Sequence, residues 1–235
     1  MAGAPMRFDA VIFDLYGTLV DETTGSVAKL GGYNRTTMEV AELVGAPPEP
    51  FLELWNGSIK QRMRGEHATF EAYVAALCAE LGVEPDASGM ADALRLRTEF
   101  FRERLAPRAD CLETLAALRG MGHRIGLITD CSWETPLLWP ETPLPPYFDV
   151  TTFSCETGTQ KPDPGIFTLT CDRLGVAPGR CLYVGDGNSD ELAGAERAGM
   201  TSLRIHVPYE TLPDATNPWP GPEVSSLGEI LEWVR

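Results

Sequence analysis

Four short stretches of the chain carry carboxylates, a hydroxyl and an ammonium at positions where they could act on one another. "VIFDLYGTLVDE" (11–22) is an apolar run that stops at Asp14 and turns through Gly17. A carboxylate delivered at the end of a buried strand is placed to act as a nucleophile. "RIGLITD" ends in Thr129 and Asp130, "TGTQKPDPGIF" carries Lys161, and "VGDGNSDE" carries Asp186 and Asp190. Acids gathered at one place repel and are partly protonated unless a cation sits among them, so Asp14, Asp186 and Asp190 suggest an oxygen-ligand Mg²⁺ site. Lys161 together with Mg²⁺ would offset the repulsion felt by an anionic group moving among such carboxylates. Gly17 and Thr18 lie in the turn after Asp14, where a missing side chain lets backbone N–H groups approach phosphate oxygens; the Thr18 hydroxyl can also donate to Asp14.

These residues need a scaffold that brings them together. "FDAVIFDL", "RIGLIT" (124–129), "CLYVGD" (181–186) and "TSLRI" (201–205) read as buried strands. Between them, "CLETLAALRGMG", "PGIFTLTCDRLG" and "SDELAGAERAGM" read as helices closing near glycines. The alternation predicts an α/β fold with a doubly wound parallel sheet, in which the carboxyl ends of the strands share one edge. From about Thr23 to Leu105 the alternation gives way to successive helical patterns, which predicts a small all-helical insert. The expected division is a core of residues 1–20 and 108–235 and a helical cap of residues 21–107. "DETTG" and "APRAD" then form the hinge of a cap that opens for substrate and closes for chemistry. Two proline-rich stretches, 134–149 and 207–223, read as surface connections, and the prolines should cut short any helix after Asp130. "SSLGEILEWV" reads as a terminal helix.

Composition narrows the partners. A chain of 235 residues with 43% hydrophobic content can bury an ordinary core. A net charge of −15 disfavours nucleic acid, whose binding rests on basic stripes. The six cysteines contain no CxxC pair and the three histidines stand apart, which argues against zinc. No apolar h-region or membrane-length run is present in the sequence, so the expectation is a soluble cytoplasmic protein with reduced thiols and a small-molecule partner.

The order and spacing of the four motifs resemble those of the haloacid dehalogenase superfamily, with a helical cap between the first and second, over nearly the whole chain. The resemblance implies a Rossmann-like core and a hydrolase. It makes Asp14 the nucleophile, Thr129 the phosphate-contacting hydroxyl, Lys161 the cation that holds nucleophile and phosphoryl group, and Asp186 a magnesium ligand with Asp190 beside it. The backbone carbonyl of Tyr16 would also bind the metal, with Gly17, Thr18 and Asp130 around the phosphate. Each motif alone also fits a plain turn, loop or helix N-terminus.

Tyr16 is the departure. Most phosphatases of the superfamily carry Asp two residues after the nucleophile, where it protonates the leaving oxygen and then activates water. A phenol with an ordinary pKa near 10 is a poor base at neutral pH. "FDLYGTLVD" is most similar to the L-2-haloacid dehalogenases, whose halide leaves without a proton. Those enzymes, however, use an arginine after a cap tryptophan, where Asn56 follows Trp55 here. They also carry Ser-Asn in place of Thr129-Asp130, and Ser and Asn in place of Asp186 and Gly187. Retention of Asp186 favours a Mg²⁺-dependent phosphohydrolase acting on a small phosphate ester or acyl phosphate. Dehalogenation through an aspartyl ester, and a catalytically weak binding module, are the alternatives.

Cap residues Tyr33, Asn34, Arg35, Trp55, Lys60, Arg62 and Arg64 are the specificity candidates, and for the charged ones a solvated helix face is the simpler reading. Trp133, Trp139 and Phe153 are expected to pack loops against the sheet, and Cys131 to be structural.

Overall fold

The computed structural model describes residues 7–20, 32–206 and 219–235. The entry side of the expected hinge, "DETTG", and most of the second proline-rich stretch lie outside the described residues. Six parallel strands form one sheet in the order β3-β2-β1-β4-β5-β6. They are β1 (Ala10–Phe13), β2 (Arg124–Thr129), β3 (Val150–Phe153), β4 (Cys181–Gly185), β5 (Thr201–Ile205) and β6 (Glu223–Val224). The chain winds outward from β1 to β3, then starts again at β4 on the other side. This is the doubly wound arrangement, and its crevice opens where the winding reverses, between the carboxyl ends of β1 and β4.

Burial on both faces explains why the strands read as continuous apolar runs. Val11, Phe13, Ile125, Leu127, Leu182 and Val184 pack on one side, while Ala10, Ile12, Ile128, Cys181 and Tyr183 pack on the other. β2 and β5 span the predicted residues. "FDAVIFDL" contributes a shorter strand, Ala10–Phe13, because the chain turns at Asp14. β3 and β6 were not predicted: "VTTF" is short and partly polar, and β6 is two residues long on the sheet edge.

Helices cover both faces. The first after β1 in the core is α6 (Cys111–Gly120); preceding it are the five helices α1 (Gly32–Leu43), α2 (Pro48–Gly57), α3 (Ile59–Met63), α4 (Phe70–Glu80) and α5 (Ala87–Arg104). Thr69 and Asp86 cap α4 and α5 through bonds to the N–H groups of Ala72 (3.2 Å) and Gly89 (2.7 Å). These helices enclose an apolar cluster of their own around Val40, Phe51, Trp55, Phe70, Tyr73 and Leu77. Later come α7 (Glu134–Leu138), α8 (Ser154–Thr157), α9 (Pro164–Leu174), α10 (Glu191–Arg197) and α11 (Ile230–Trp233). α9 carries its start and stop in sequence: Asp163 accepts from Gly165 N at 2.8 Å, and Gly175 adopts φ 66° after the last turn.

Two connections differ from expectation. Stretch 134–149 is not a plain surface link. Its prolines do confine α7 to five residues, but Leu138, Trp139 and Leu144 are buried beneath it, with Trp139 edge-on to Phe148 and Phe153. The terminal helix contracts to four residues, since the preceding "SSLG" forms turns held by Glu229 and Asp110.

Candidate active site

β1 and β4 are neighbours in register, with Phe13 beside Val184, so Asp14 and Asp186 emerge together at the crevice. The amide of Asp14 donates to Val184 O at 2.9 Å, fixing the first residue of the turn against β4. Gly17 has φ +78° and lies so close to Asp186 that a Cβ there would sit 2.3 Å from Oδ2; both facts require glycine. Arg108, at the exit from the helical insert, ties down the same turn. Its Nε donates to Thr18 O (2.8 Å) and its Nη2 to Gly17 O (2.6 Å), and its own amide donates to Leu19 O.

Asp14 is buried between two donors. Thr18 Oγ1 donates to Oδ2 at 3.1 Å, and Lys161 Nζ pairs with Oδ1. Lys161 also pairs with Glu191 Oε2 at 2.5 Å, and Tyr183 OH donates to that oxygen at 2.8 Å. Asp130 holds the lysine segment by accepting from Lys161 N at 3.0 Å. Asp186 accepts from Asn188 N (2.8 Å) and Asn188 Nδ2 (2.6 Å).

Asp14, Asp186 and Glu191 offer carboxylate oxygens within 4.8 Å of one another, all buried. Burial lifts the Asp14 carboxyl to about 7, with Glu191 adding to the rise and Lys161 opposing it. Burial, Glu191 and Asp14 lift Asp186 to about 8. Burial opposes the charge on Lys161, yet Asp14 and Glu191 outweigh it and hold the ammonium well above its ordinary value. Three carboxyl groups converge on one ammonium, more acid than Lys161 alone neutralises once all three are ionised. The cluster is therefore able to bind a divalent, oxygen-preferring cation.

The sequence points to Asp190 as the second acid beside Asp186, whereas the structure turns Glu191 toward Asp14 and Asp186. Gly187, Ser189 and Asp190 all adopt positive φ (97°, 57° and 51°), so the loop coils tightly before α10. The coil swings Asp190 outward, where it lies 3.3 Å from Arg197 with both side chains 48% exposed, and turns Glu191 inward. The cue was positional: Glu191 starts the amphipathic helix and Gly185, whose absent side chain makes room for Glu191 Oε1, precedes Asp186.

Tyr16 faces the same pocket. Its hydroxyl shares a 2.9 Å bond with Thr135 Oγ1, and the Arg104 guanidinium lies 4.9 Å from its ring centre. Burial pushes the phenol well above its ordinary value, so it stays protonated at neutral pH. Thr129 ends β2 fully buried with no partner for its hydroxyl among the described residues. Among the cap candidates, Asn34, Arg35, Lys60 and Arg64 are exposed, as a solvated face requires, whereas Trp55 and Arg62 are buried. Trp139 and Phe153 pack against the sheet; Trp133 instead meets Phe70 of α4. Cys131 is a buried free thiol whose pKa burial raises, consistent with a structural role. Asp14, Tyr16, Asp130, Lys161, Asp186 and Glu191 line one side of a cavity of about 340 Å³, and Tyr33, Arg62 and Arg104 line it from the helical insert.

A family profile for haloacid dehalogenase-like hydrolases matches residues 8–199. The chain belongs to this family. It is 32% identical over 165 residues to a glyceraldehyde 3-phosphate phosphatase of Methanopyrus kandleri, covering 68% of this chain and 70% of the relative. It is 28% identical to (S)-2-haloacid dehalogenase 4A of Burkholderia cepacia, over 84% of this chain and 82% of that one. A HAD phosphatase from Thermococcus onnurineus shares the fold with a TM-score of 0.66 at 23% identity, covering 96% and 97% of the two chains. This HAD hydrolase thus resembles phosphatases and a dehalogenase alike. No helix among the described residues is long and apolar enough to cross a membrane.

Proposed function

We propose that this hydrolase is a Mg²⁺-dependent phosphohydrolase acting on a small phosphorylated metabolite through an aspartyl-phosphate on Asp14. The observation that carries the reading is the cluster of three buried carboxyl groups, Asp14, Asp186 and Glu191, converging on a single ammonium, Lys161. A halide-displacing site working on a carboxylate substrate gains nothing from such a cluster, whereas a phosphoryl-transfer site needs it to hold a cation. Bound Mg²⁺ would supply charge neutralisation for the transferring phosphoryl oxygens.

The residues divide the remaining work. A carboxylate oxygen of Asp14 attacks phosphorus; the oxygen–phosphorus bond to Asp14 forms as the bond to the leaving oxygen breaks. Thr18 and Lys161 aim the carboxylate, and Lys161 offsets the negative charge that accumulates beside it. The unpartnered Thr129 hydroxyl and the backbone of Gly17–Thr18 are the donors for phosphate oxygens. The helical insert acts as a cap that excludes water. Water then attacks phosphorus as the oxygen–phosphorus bond to Asp14 breaks, its proton staying with the departing phosphate, and the Asp14 carboxylate is restored.

Tyr16 sets the limits of this chemistry. Its phenol is held by Thr135 and kept protonated by burial, so it neither activates water nor readily yields a proton to a departing alkoxide. Substrates whose leaving groups need little protonation, aryl and acyl phosphates, should turn over faster than alkyl phosphates. A Brønsted series with and without Mg²⁺ tests this. The reading expects a steep dependence on leaving-group pKa and loss of turnover on chelation; a flat series independent of Mg²⁺, or halide release from 2-haloacids, contradicts it.

A further inference from the structure

Two pairs of free thiols lie close together, and they differ in access. Cys171 and Cys181 are 3.5 Å apart at sulfur, but they are 1% and 0% exposed. Cys131 and Cys155 are 3.9 Å apart at sulfur. Cys155, in α8, is half-buried, and Cys131 borders the active-site cavity. Hydrogen peroxide, little larger than water, therefore reaches the second pair and not the first.

Hydrogen bonds hold this second pair side by side. The buried hydroxyl of Ser154 accepts from Cys131 N at 3.0 Å and donates to Cys131 O at 3.3 Å, which ties the loop after β2 to the start of α8. An approach of roughly 2 Å brings the sulfurs to the length of a disulfide bond. Both segments bear on the site. Cys131 follows Asp130, whose carboxylate fixes the amide of Lys161. On the other side, Gly65, in the turn after α3, lies so close to α8 that a Cβ there would collide with the carbonyl oxygen of Cys155. A bond between the two sulfurs thus pulls on the lysine support from one end and on the seat of the helical insert from the other.

We propose that Cys131 and Cys155 form an oxidative modification site, converted by a hydroperoxide to a cystine that halts turnover until a thiol reductant restores it. Cys155, the more exposed, reacts first. Its sulfur–oxygen bond forms as the oxygen–oxygen bond breaks; the sulfur is oxidised to a sulfenic acid, and the second peroxide oxygen leaves with the thiol proton as water. The Cys131 sulfur then attacks that of Cys155. The sulfur–sulfur bond forms as the sulfur–oxygen bond breaks, and hydroxide takes the Cys131 proton to leave as water. Two thiols and one hydrogen peroxide give one cystine and two waters. Formation of the cystine is independent of the phosphohydrolase reading, and its effect on turnover rests on that reading.

The test treats the full chain with hydrogen peroxide, quenches it with an alkylating agent under denaturing conditions and maps the cysteines by peptide mass spectrometry. Turnover of acetyl phosphate with Mg²⁺ is followed in the same samples. The expected result is a linked pair of peptides containing Cys131 and Cys155, two hydrogens lighter than the separate peptides, with Cys171 and Cys181 recovered alkylated. Turnover should fall at least about tenfold in step with the linkage, since a displacement of about 1 Å in a site can cost about 10²-fold. Dithiothreitol should restore it; methionine sulfoxide, as at Met63 in the cavity wall, is not reversed by that reagent. Cys155→Ser should keep its turnover through the same treatment, and the mapping of the unmodified chain stands whether or not this variant folds. Absence of the 131–155 linkage, or linkage at 171–181 alone, overturns the site. Linkage with turnover unchanged overturns its control of the enzyme. Reversible linkage in a chain that hydrolyses no phosphate compound leaves the modification site standing and removes the phosphohydrolase reading, and turnover without linkage does the reverse.

Discussion

Tyr16 and Glu191 define the site at the level of single residues. A phenol fixed by Thr135 sits where the proposed phosphohydrolase would need an acid/base, so replacing it with a carboxylate tests that proposal. General acid–base assistance is worth about 10²–10⁴-fold, and Tyr16→Asp should raise turnover of alkyl phosphates by at least about tenfold while flattening the leaving-group dependence; steady-state kinetics on paired alkyl and aryl phosphates check it. Glu191→Gln removes a charge from the buried cluster and should weaken Mg²⁺ binding by about tenfold or more, whereas Asp190→Asn, at the exposed Arg197 pair, should change it less than about twofold. Fluorescence or calorimetric titration separates the two. The reason that sequence pointed to the neighbour is conformational: nothing in "DGNSDE" announces positive φ at both Ser189 and Asp190, and that coil decides which acid turns inward. Asp14 and Thr18 were legible because a strand terminus and a glycine turn leave them one direction to point. Arg62 stood among the cap candidates, but a lone arginine in a helical stretch reads as solvated until its aromatic surroundings are known.

Elements hold these residues through contacts that connect the helical insert to the core. Arg97 of α5 and Glu134 of α7 form a 2.9 Å pair with both side chains fully buried, and the guanidinium rests among Tyr33, Trp55 and Phe101. Glu134 also accepts from Ser132, which borders the cavity, and precedes Thr135, the partner of Tyr16. Removing one member of a buried pair typically costs about 3–5 kcal/mol, so Glu134→Gln should destabilise the fold by a comparable amount, and Arg97→Met with Glu134→Leu together by less. A denaturant-based double-mutant cycle measures the difference. At this scale the strands with continuous apolar runs and the glycine-terminated helices were legible. β3 was hidden by its threonines, and β6 by having two residues on an edge, where pairing rather than composition makes the strand. The buried role of stretch 134–149 was masked by its prolines, which shorten helices without forcing a segment to the surface.

Across the whole molecule, a doubly wound sheet collects residues separated by more than 170 positions at one crevice and buries three carboxyl groups there. Their burial links stability to pH. Burial raises Asp14 and Asp186 from an ordinary value of 3.8 to about 7 and about 8, so the folded chain keeps protons that the unfolded chain has lost. Their contribution to the cation-free fold therefore declines as pH rises through that window, and a cation that replaces the protons stabilises most where they are gone. The rise in Tm on adding Mg²⁺ should be larger at about pH 8 than at about pH 5.5, and thermal unfolding at the two values checks it. Covalent phosphoryl transfer to Asp14 is tested directly by intact-protein and peptide mass spectrometry after rapid acid quenching of a mixture with acetyl phosphate and Mg²⁺. The expected result is the added mass of one phosphoryl group on the peptide containing Asp14, absent in Asp14→Asn and absent without Mg²⁺. An unmodified Asp14 during active turnover, or an adduct formed instead from a 2-haloacid with release of halide, would contradict it.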